Sequence, residues 1–163
     1  MGVSDIKVRM AVSSDVPVIH SLIAELAAFE KEPEAFVLTQ KDLLQHGFEQ
    51  SPALFEVLLA ESTVEGVMGM AMVYTKYSSW RGPCLFLEDL VVRQAHRRKG
   101  VGRLLAEEVF RLAADRKMDR VEWMVLDWNE SAHTFYRALG ADQLRDWWPY
   151  RLSGSSLQRY QSA

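Results

Sequence analysis

Three basic side chains and two glycines stand together at Arg97-Arg98-Lys99-Gly100-Val101-Gly102, between a strand-like run, Cys84 to Val92, and a helix-like run, Arg103 to Lys117. A helix start of this kind suits a pyrophosphate, because its first N–H groups have no intrahelical partner and the helix dipole favours negative charge there. Glycine at 100 and 102 lets the backbone approach the phosphates with no Cβ between them, and the guanidinium and ammonium groups add charge-assisted contacts. The Gly-Lys-Ser/Thr order of a P-loop is missing, as is the Gly-x-Gly-x-x-Gly of a dinucleotide fingerprint. Taken alone, the hexamer is equally a solvated basic turn.

Other residues near it have types that can move protons. Glu88 and Asp89, in Phe86-Leu87-Glu88-Asp89-Leu90, lie in the strand-like run that leads to the basic loop. A carboxylate there either takes a proton or pairs with a cation. Strand alternation places Asp89 on the opposite face from Glu88, as a structural acid or an acid reached from another subunit. Downstream, a strand-like run from Arg120 to Leu126 leads into Asp127-Trp128-Asn129-Glu130-Ser131, a short helix carrying Phe135-Tyr136, and Leu139-Gly140-Ala141. A phenol, with a reference pKa near 10, can donate a proton while staying protonated at neutral pH; a tyrosine on an amphipathic helix is as readily a packing residue. Asn129 is a turn or cap residue, or an amide that holds a ligand. His20, His46, His96 and His133 show no metal-ligand spacing, and no serine sits in a Gly-x-Ser-x-Gly elbow, so neither a metal centre nor serine acyl transfer is expected.

The order Arg-x-x-Gly-x-Gly, then Asn129 with Tyr136 seven residues on, resembles the GNAT acetyltransferase superfamily, and within it the spermidine/spermine (diamine) acetyltransferase group. Leu26-Ala27-Ala28-Phe29-Glu30, Leu38 to Leu44 with Gly47-Phe48, and Phe86 to Leu90 extend the likeness over nearly the whole chain. The resemblance implies transfer of the acetyl group of acetyl-CoA to a primary amine of a small substrate: a polyamine, a diamine or a lysine-like amino acid. A protein amine acetyltransferase and a non-catalytic acetyl-CoA-binding regulator are the alternatives. It also implies the roles. Glu88 takes the amine proton, through water, and Tyr136 protonates the leaving thiolate. Leu90, Val91, Val92, Arg97, Arg98, Lys99, Gly100, Val101, Gly102, Arg103, Asn129, Ser131 and Phe135 hold acetyl-CoA. Phe29, Glu30, Trp80, Glu88, Asp89, Glu122, Trp123 and Met124 meet the amine, and no metal takes part. The hairpin reading Tyr77-Ser78-Ser79-Trp80 departs from the polyamine enzymes, which carry an acid between tyrosine and tryptophan, and Asp146-Trp147-Trp148-Pro149-Tyr150-Arg151 departs as well. Short diamines and lysine-like amines therefore compete with polyamines.

The elements that must position these groups follow from periodicity and punctuation. Ile6 to Met10 reads as a strand; Ser13-Ser14-Asp15 offers caps, with Pro17 suited to a first helical turn. Val16, Ile19, Ile23, Leu26 and Ala27 form an apolar stripe at helical spacing. Thr39-Gln40-Lys41-Asp42 resembles a capping box opening a short helix that Gly47 ends. Strand-like runs at Phe55 to Ala60, Gly66 to Tyr74 and Cys84 to Val92 are joined by hairpin loops. Leu105, Val109 and Leu112 face a core, and a last strand spans Gln143 to Leu152. The order gives an α/β fold. The resemblance specifies it as a GNAT-type mixed, mostly antiparallel sheet flanked by helices, with splayed strands forming the acetyl-CoA cleft.

With 163 residues, 48% of them hydrophobic, the chain is sized for one domain spanning 1–163. A net charge of −3 makes Arg97 to Lys99 a local cationic spot in an acidic protein, so a small anion fits better than nucleic acid. One cysteine, Cys84, excludes an internal disulfide and suits a reducing compartment. With no signal-like start and no apolar run of roughly 18 residues, the expectation is a cytoplasmic protein without membrane contact, assembled as a homodimer.

Overall fold

A computed structural model describes residues 5–161, and the chain divides into two compact units, one through Met124 and one from Val125. The first unit is built on a five-stranded sheet in the order β1-β2-β3-β4-β5, formed by Lys7–Met10, Glu56–Ser62, Gly66–Ser78, Gly82–Val92 and Val121–Glu122. The first three pairings are antiparallel and β4 with β5 is parallel. This is the mixed, mostly antiparallel α/β sheet that the resemblance implied.

One face of the sheet packs on α1 (Val16–Phe29) and α2 (Gln40–Leu44). The register sets Val57 against Met72, Leu59 against Met70 and Met70 against Val91. These buried side chains meet Val16, Ile19, Leu22 and Leu43. The other face packs on α3 (Val101–Asp115), whose buried stripe is Val101, Leu105, Ala106, Val109 and Ala113. Pro17 lies in the first turn of α1, where its missing N–H costs nothing. The Thr39–Asp42 capping box is complete: Asp42 N–H donates to Thr39 Oγ1 at 3.2 Å and Thr39 N–H donates to an Asp42 carboxylate oxygen at 2.9 Å.

Four expectations are corrected. Gly47 does not end α2; it lies inside a wide turn, Gln45–Glu49, where a Cβ would come within 2.6 Å of the Phe55 ring. The run from Arg120 to Leu126 shortens to the two residues of β5. Residues 143–152 form no strand. Pro149 has no N–H to give a ladder, and a segment without a paired neighbour leaves its backbone polar groups to water. Leu112 is only half-buried, because the α3 stripe continues through Ala113 instead.

Two bulges bend the sheet. Between Val67 and Gly69 of β3, Met68 is the extra residue opposite β2. Between Leu87 and Asp89 of β4, which pair with Val73 and Met72, Glu88 is the extra residue. The second unit holds α4 (Glu130–Ala138) and α5 (Ser155–Gln158), and none of its described residues is buried.

Candidate active site

The bulge at Glu88 overturns the alternation expected for its neighbour. Phe86 pairs with Tyr74, and Asp89 pairs with Met72, so both β4 residues point to the α1 face. Glu88, two residues after Phe86, points there as well; the extra residue then carries Asp89 to that same side instead of the opposite one. Glu88 is exposed, whereas Asp89 is largely buried. Glu30, which closes the C-terminal end of α1, is half-buried on the same side.

Asp89 senses the other two carboxylates. Burial, then the charges of Glu88 and Glu30, push Asp89 up to about 7. Burial alone raises Glu30. Among the described residues, neither Glu88 nor Asp89 has an ion-pair partner within the chain, so the α1 face presents an acidic centre. The same face of the sheet carries rings: Phe86 and Tyr74 lie 5.2 Å apart in a tilted pair.

The other amine-contacting candidates are distributed differently. Glu122, opposite Phe86 on β5, holds Lys76 Nζ at 2.7 Å on one carboxylate oxygen and Arg120 Nε at 3.0 Å on the other, so it is already neutralised. Trp123 points to the opposite face, where its ring packs 6.0 Å from that of Phe110 of α3. Met124 is exposed. Trp80 sits at the β3–β4 turn, beyond Gly82, the start of β4, which is itself six residues or about 20 Å along the strand from Glu88, apart from the acidic centre. Phe29 lies at the end of α1 beneath the Arg97 guanidinium, whose centre is 5.0 Å from the ring.

The strand carrying Glu88 runs straight into the glycine loop. Beyond Phe86, β4 has no ladder partner on its β5 side, so the two parallel strands part after their first two residue pairs. Leu90, Val91 and Val92 line this stretch; Val91 is buried in the α1 core, and the other two are half-buried. An unpaired strand edge of this kind can bind an extended, amide-bearing arm as a further strand would. At its end, Arg97 Nε donates to the Val92 carbonyl at 3.0 Å, which ties the loop to the strand. Arg98 has φ 60°, and Gly100, at the N-cap of α3, has φ 84°. Glycine adopts that left-handed turn without the cost a Cβ imposes. The turn delivers the N–H groups of Val101, Gly102 and Arg103 to a single helix start, beside the exposed Arg98 and Lys99. Arg103 also holds Glu107 at 2.7 Å.

Two supporting residues escaped the sequence. Gly69 opposes Val92 across the ladder, and a Cβ there would lie 2.4 Å from the Val91 carbonyl oxygen, so only glycine lets β3 close on β4 there. A glycine inside a strand-like run was the one available signal. His96, seen only as a neighbour of the basic loop, is buried, with Nδ1 3.4 Å from the Glu65 carboxylate of the β2–β3 hairpin. Nothing in its sequence context marked that pairing.

In the second unit, Asn129 is the N-cap of α4. Its side-chain oxygen accepts from Ala132 N–H at 3.2 Å and from the Ser131 hydroxyl at 3.0 Å. The cap uses only that oxygen, which leaves the donor end of the amide for another partner. Phe135 and Tyr136 are both half-buried, with rings 5.0 Å apart edge to face. Tyr136 lies in the last full turn of α4, where Ala141 N–H closes back on its carbonyl at 3.1 Å and Gly140 N–H on that of Arg137 at 3.0 Å.

The chain is 32% identical over 162 residues to a thialysine N-epsilon-acetyltransferase of Bos taurus, covering 94% of this chain and 95% of the relative. It is 34% identical over 160 residues to spermidine/spermine N(1)-acetyltransferase-like protein 1 of Homo sapiens, covering 93% of this chain but 23% of that longer protein. Its fold matches an integron cassette protein from the mobile metagenome of V. cholerae with a TM-score of 0.79 at 21% identity, over 95% of this chain and 96% of that one. The profile of the Acetyltransferase (GNAT) family matches residues 20–141, which include the acidic strand, the glycine loop and α4. The chain belongs to the GNAT family and is an acyl-CoA-dependent N-acetyltransferase.

Proposed function

We propose that this enzyme acetylates a primary amine of a small substrate, with the bulge that brings Glu88 and Asp89 to one face as the observation that carries the assignment. An alkyl ammonium has a reference pKa near 10.4, so at neutral pH something must take its proton before the nitrogen is nucleophilic. Glu88, exposed and without a cation of its own among the described residues, takes it directly or through one water. Asp89 and Glu30 hold the positive charge before that proton leaves; a bound cation also favours the ionised form of Asp89 over the neutral one.

The glycine loop fits acetyl-CoA: a left-handed glycine at a helix start, converging amides and exposed cations suit its phosphates. The edge of β4 at Leu90 to Val92, the donor end of Asn129, and the neighbours Ser131 and Phe135 serve its amide-bearing arm. Acetyl-CoA supplies an acyl group on a good thiol leaving group. Tyr136 gives its phenol proton to the sulfur as nitrogen bonds to the acyl carbon and the carbon–sulfur bond breaks. We further propose that the two compact units act as one catalytic domain, a reading supported by the family profile running across their boundary at Met124. The assembly we propose is a homodimer. Its support is the exposed Trp147, Trp148, Tyr150 and Leu152, apolar side chains close in sequence in a unit none of whose described residues is buried; apolar groups exposed together mark association surfaces. The location we propose is the cytoplasm, on the strength of the single, buried thiol of Cys84.

The test is thiol release from acetyl-CoA in the presence of spermine, spermidine, a diamine and L-lysine, with the acetylated product identified by mass. Release that requires an amine and yields its N-acetyl derivative is the expected result. Release indifferent to every amine would overturn the assignment.

A further inference from the structure

Next to the acidic centre, on the same face of the sheet, lies a second charged group of opposite balance. Lys76 pairs with Cys84 across the ladder, so it stands in line with Tyr74 above and with Phe86 and Glu88 on β4. Its ammonium lies 2.7 Å from Glu122 and 5.6 Å from the centre of the Phe86 ring. Arg120 occupies the other oxygen of Glu122 at 3.0 Å. Two cations on one carboxylate leave a surplus of one positive charge, and the Lys76 side chain is 46% exposed and able to meet a further anion. The nearby Arg81–Asp119 pair, at 3.7 Å, adds no net charge.

The α1 face therefore has two poles. Glu88, Asp89 and Glu30 form the negative one, and Lys76 with Arg120 about Glu122 forms the positive one. Phe86 lies between them, two residues or about 7 Å from Glu88 along the strand. Tyr74 stands over Phe86, and its phenol responds to both poles: burial and Glu88 raise it, while Lys76 lowers it. A polyamine, positive at every amine, would set an ammonium against the positive pole. An amino acid with a side-chain amine has the opposite arrangement: an ammonium at one end, methylenes to lie on the rings, and a carboxylate several bonds away.

On the acetyl-transfer reading above, we infer that Lys76 is a specificity-determining residue that binds the carboxylate of an α-amino acid whose side-chain amine is placed at Glu88.

The experiment compares kcat/KM for L-lysine against 1,5-diaminopentane, and for L-ornithine against 1,4-diaminobutane, pairs that differ only in the carboxylate. The native enzyme should prefer the amino acid in at least one pair. Lys76→Glu and Lys76→Gln should move that ratio toward the diamine, the charge reversal by about tenfold or more, chiefly through KM. Lys76→Arg, which keeps the charge, should retain the preference. A native preference for the diamine in both pairs would overturn the inference. So would an unmoved ratio in folded Lys76→Glu and Lys76→Gln. If the native enzyme acetylates none of the four amines and no other primary amine, the acetyl-transfer reading fails first and takes this inference with it.

Discussion

The two ends of the C-terminal half of β4 use different parts of the chain. Around Gly100 the chemistry belongs to the backbone: a left-handed turn, tied down by Arg97 on the Val92 carbonyl, gathers helix N–H groups at one point. Around Glu88 it belongs to side chains, and the backbone's contribution is one extra residue that turns two consecutive carboxylates to one face. A site made of amides is fixed once the turn forms. A site made of carboxylates carries a standing electrostatic cost, visible in the raised Asp89, which a cationic substrate relieves. Damage to the first should therefore appear mainly in acetyl-CoA binding, and damage to the second in the amine and in the pH dependence.

The largest effect lies outside both ends. Tyr136→Phe keeps the ring against Phe135 and removes the proton, so kcat should fall by roughly 10² to 10⁴ while acetyl-CoA binding survives; single-turnover and equilibrium binding measurements separate the two. Gly100→Val breaks the amide-built end. A branched side chain in the left-handed region costs about 1–3 kcal/mol and occupies the approach to the helix start. Acetyl-CoA KM should rise at least about tenfold with the amine KM little changed, and equal shifts in both would erase the distinction between the two ends.

Gly69→Ala probes how that end is supported. Its Cβ would meet the Val91 carbonyl oxygen at 2.4 Å, so β4 must shift. Chemical denaturation should show a loss of about 1–3 kcal/mol, together with weaker acetyl-CoA binding.

The smallest effect isolates the acidic end without substrate. Asp89, ordinarily near 3.8, is raised to about 7 in the fold. As pH rises from about 4 to about 7, the unfolded chain loses this proton while the folded chain keeps it, so the native protein loses stability over that window, and the loss is complete above it. Asp89→Asn has no such proton. Its denaturation midpoint should exceed that of the native enzyme at pH 8 and approach it at pH 4, and parallel curves at all pH values would mean that Asp89 is not destabilised in the fold.

How much of this was legible in the sequence follows the same division. The glycine loop could be read because Gly100 and Gly102 with Arg97 to Lys99 are chemically unusual and adjacent, and the strand and helix on either side have clear periods. The capping box at Thr39 and the apolar stripe of α1 are local patterns for the same reason. The bulge could not be read: nothing in Leu87-Glu88-Asp89 says which residue lacks a partner, because that is decided by the register with β3. Alternation then gave the wrong side for Asp89. Glu122 was recognisable as an acid, but its neutralisation by Lys76 needs a contact across 46 positions. The expected strand at Gln143 to Leu152 failed because strand formation needs a paired neighbour, which the segment lacks, and Pro149 has no N–H to give one.

The central claim is that Glu88, turned by the bulge, takes the proton from the amine. The direct measurement is the pH dependence of kcat/KM for one amine at saturating acetyl-CoA in Glu88→Gln and in the native enzyme. Without the carboxylate, the rate at neutral pH should fall by roughly 10² or more and climb steeply toward pH 10, where the free amine, with a reference pKa near 10.4, loses its proton unaided. A Glu88→Gln enzyme within a few-fold of native at neutral pH, with a profile of the same shape, would contradict the account.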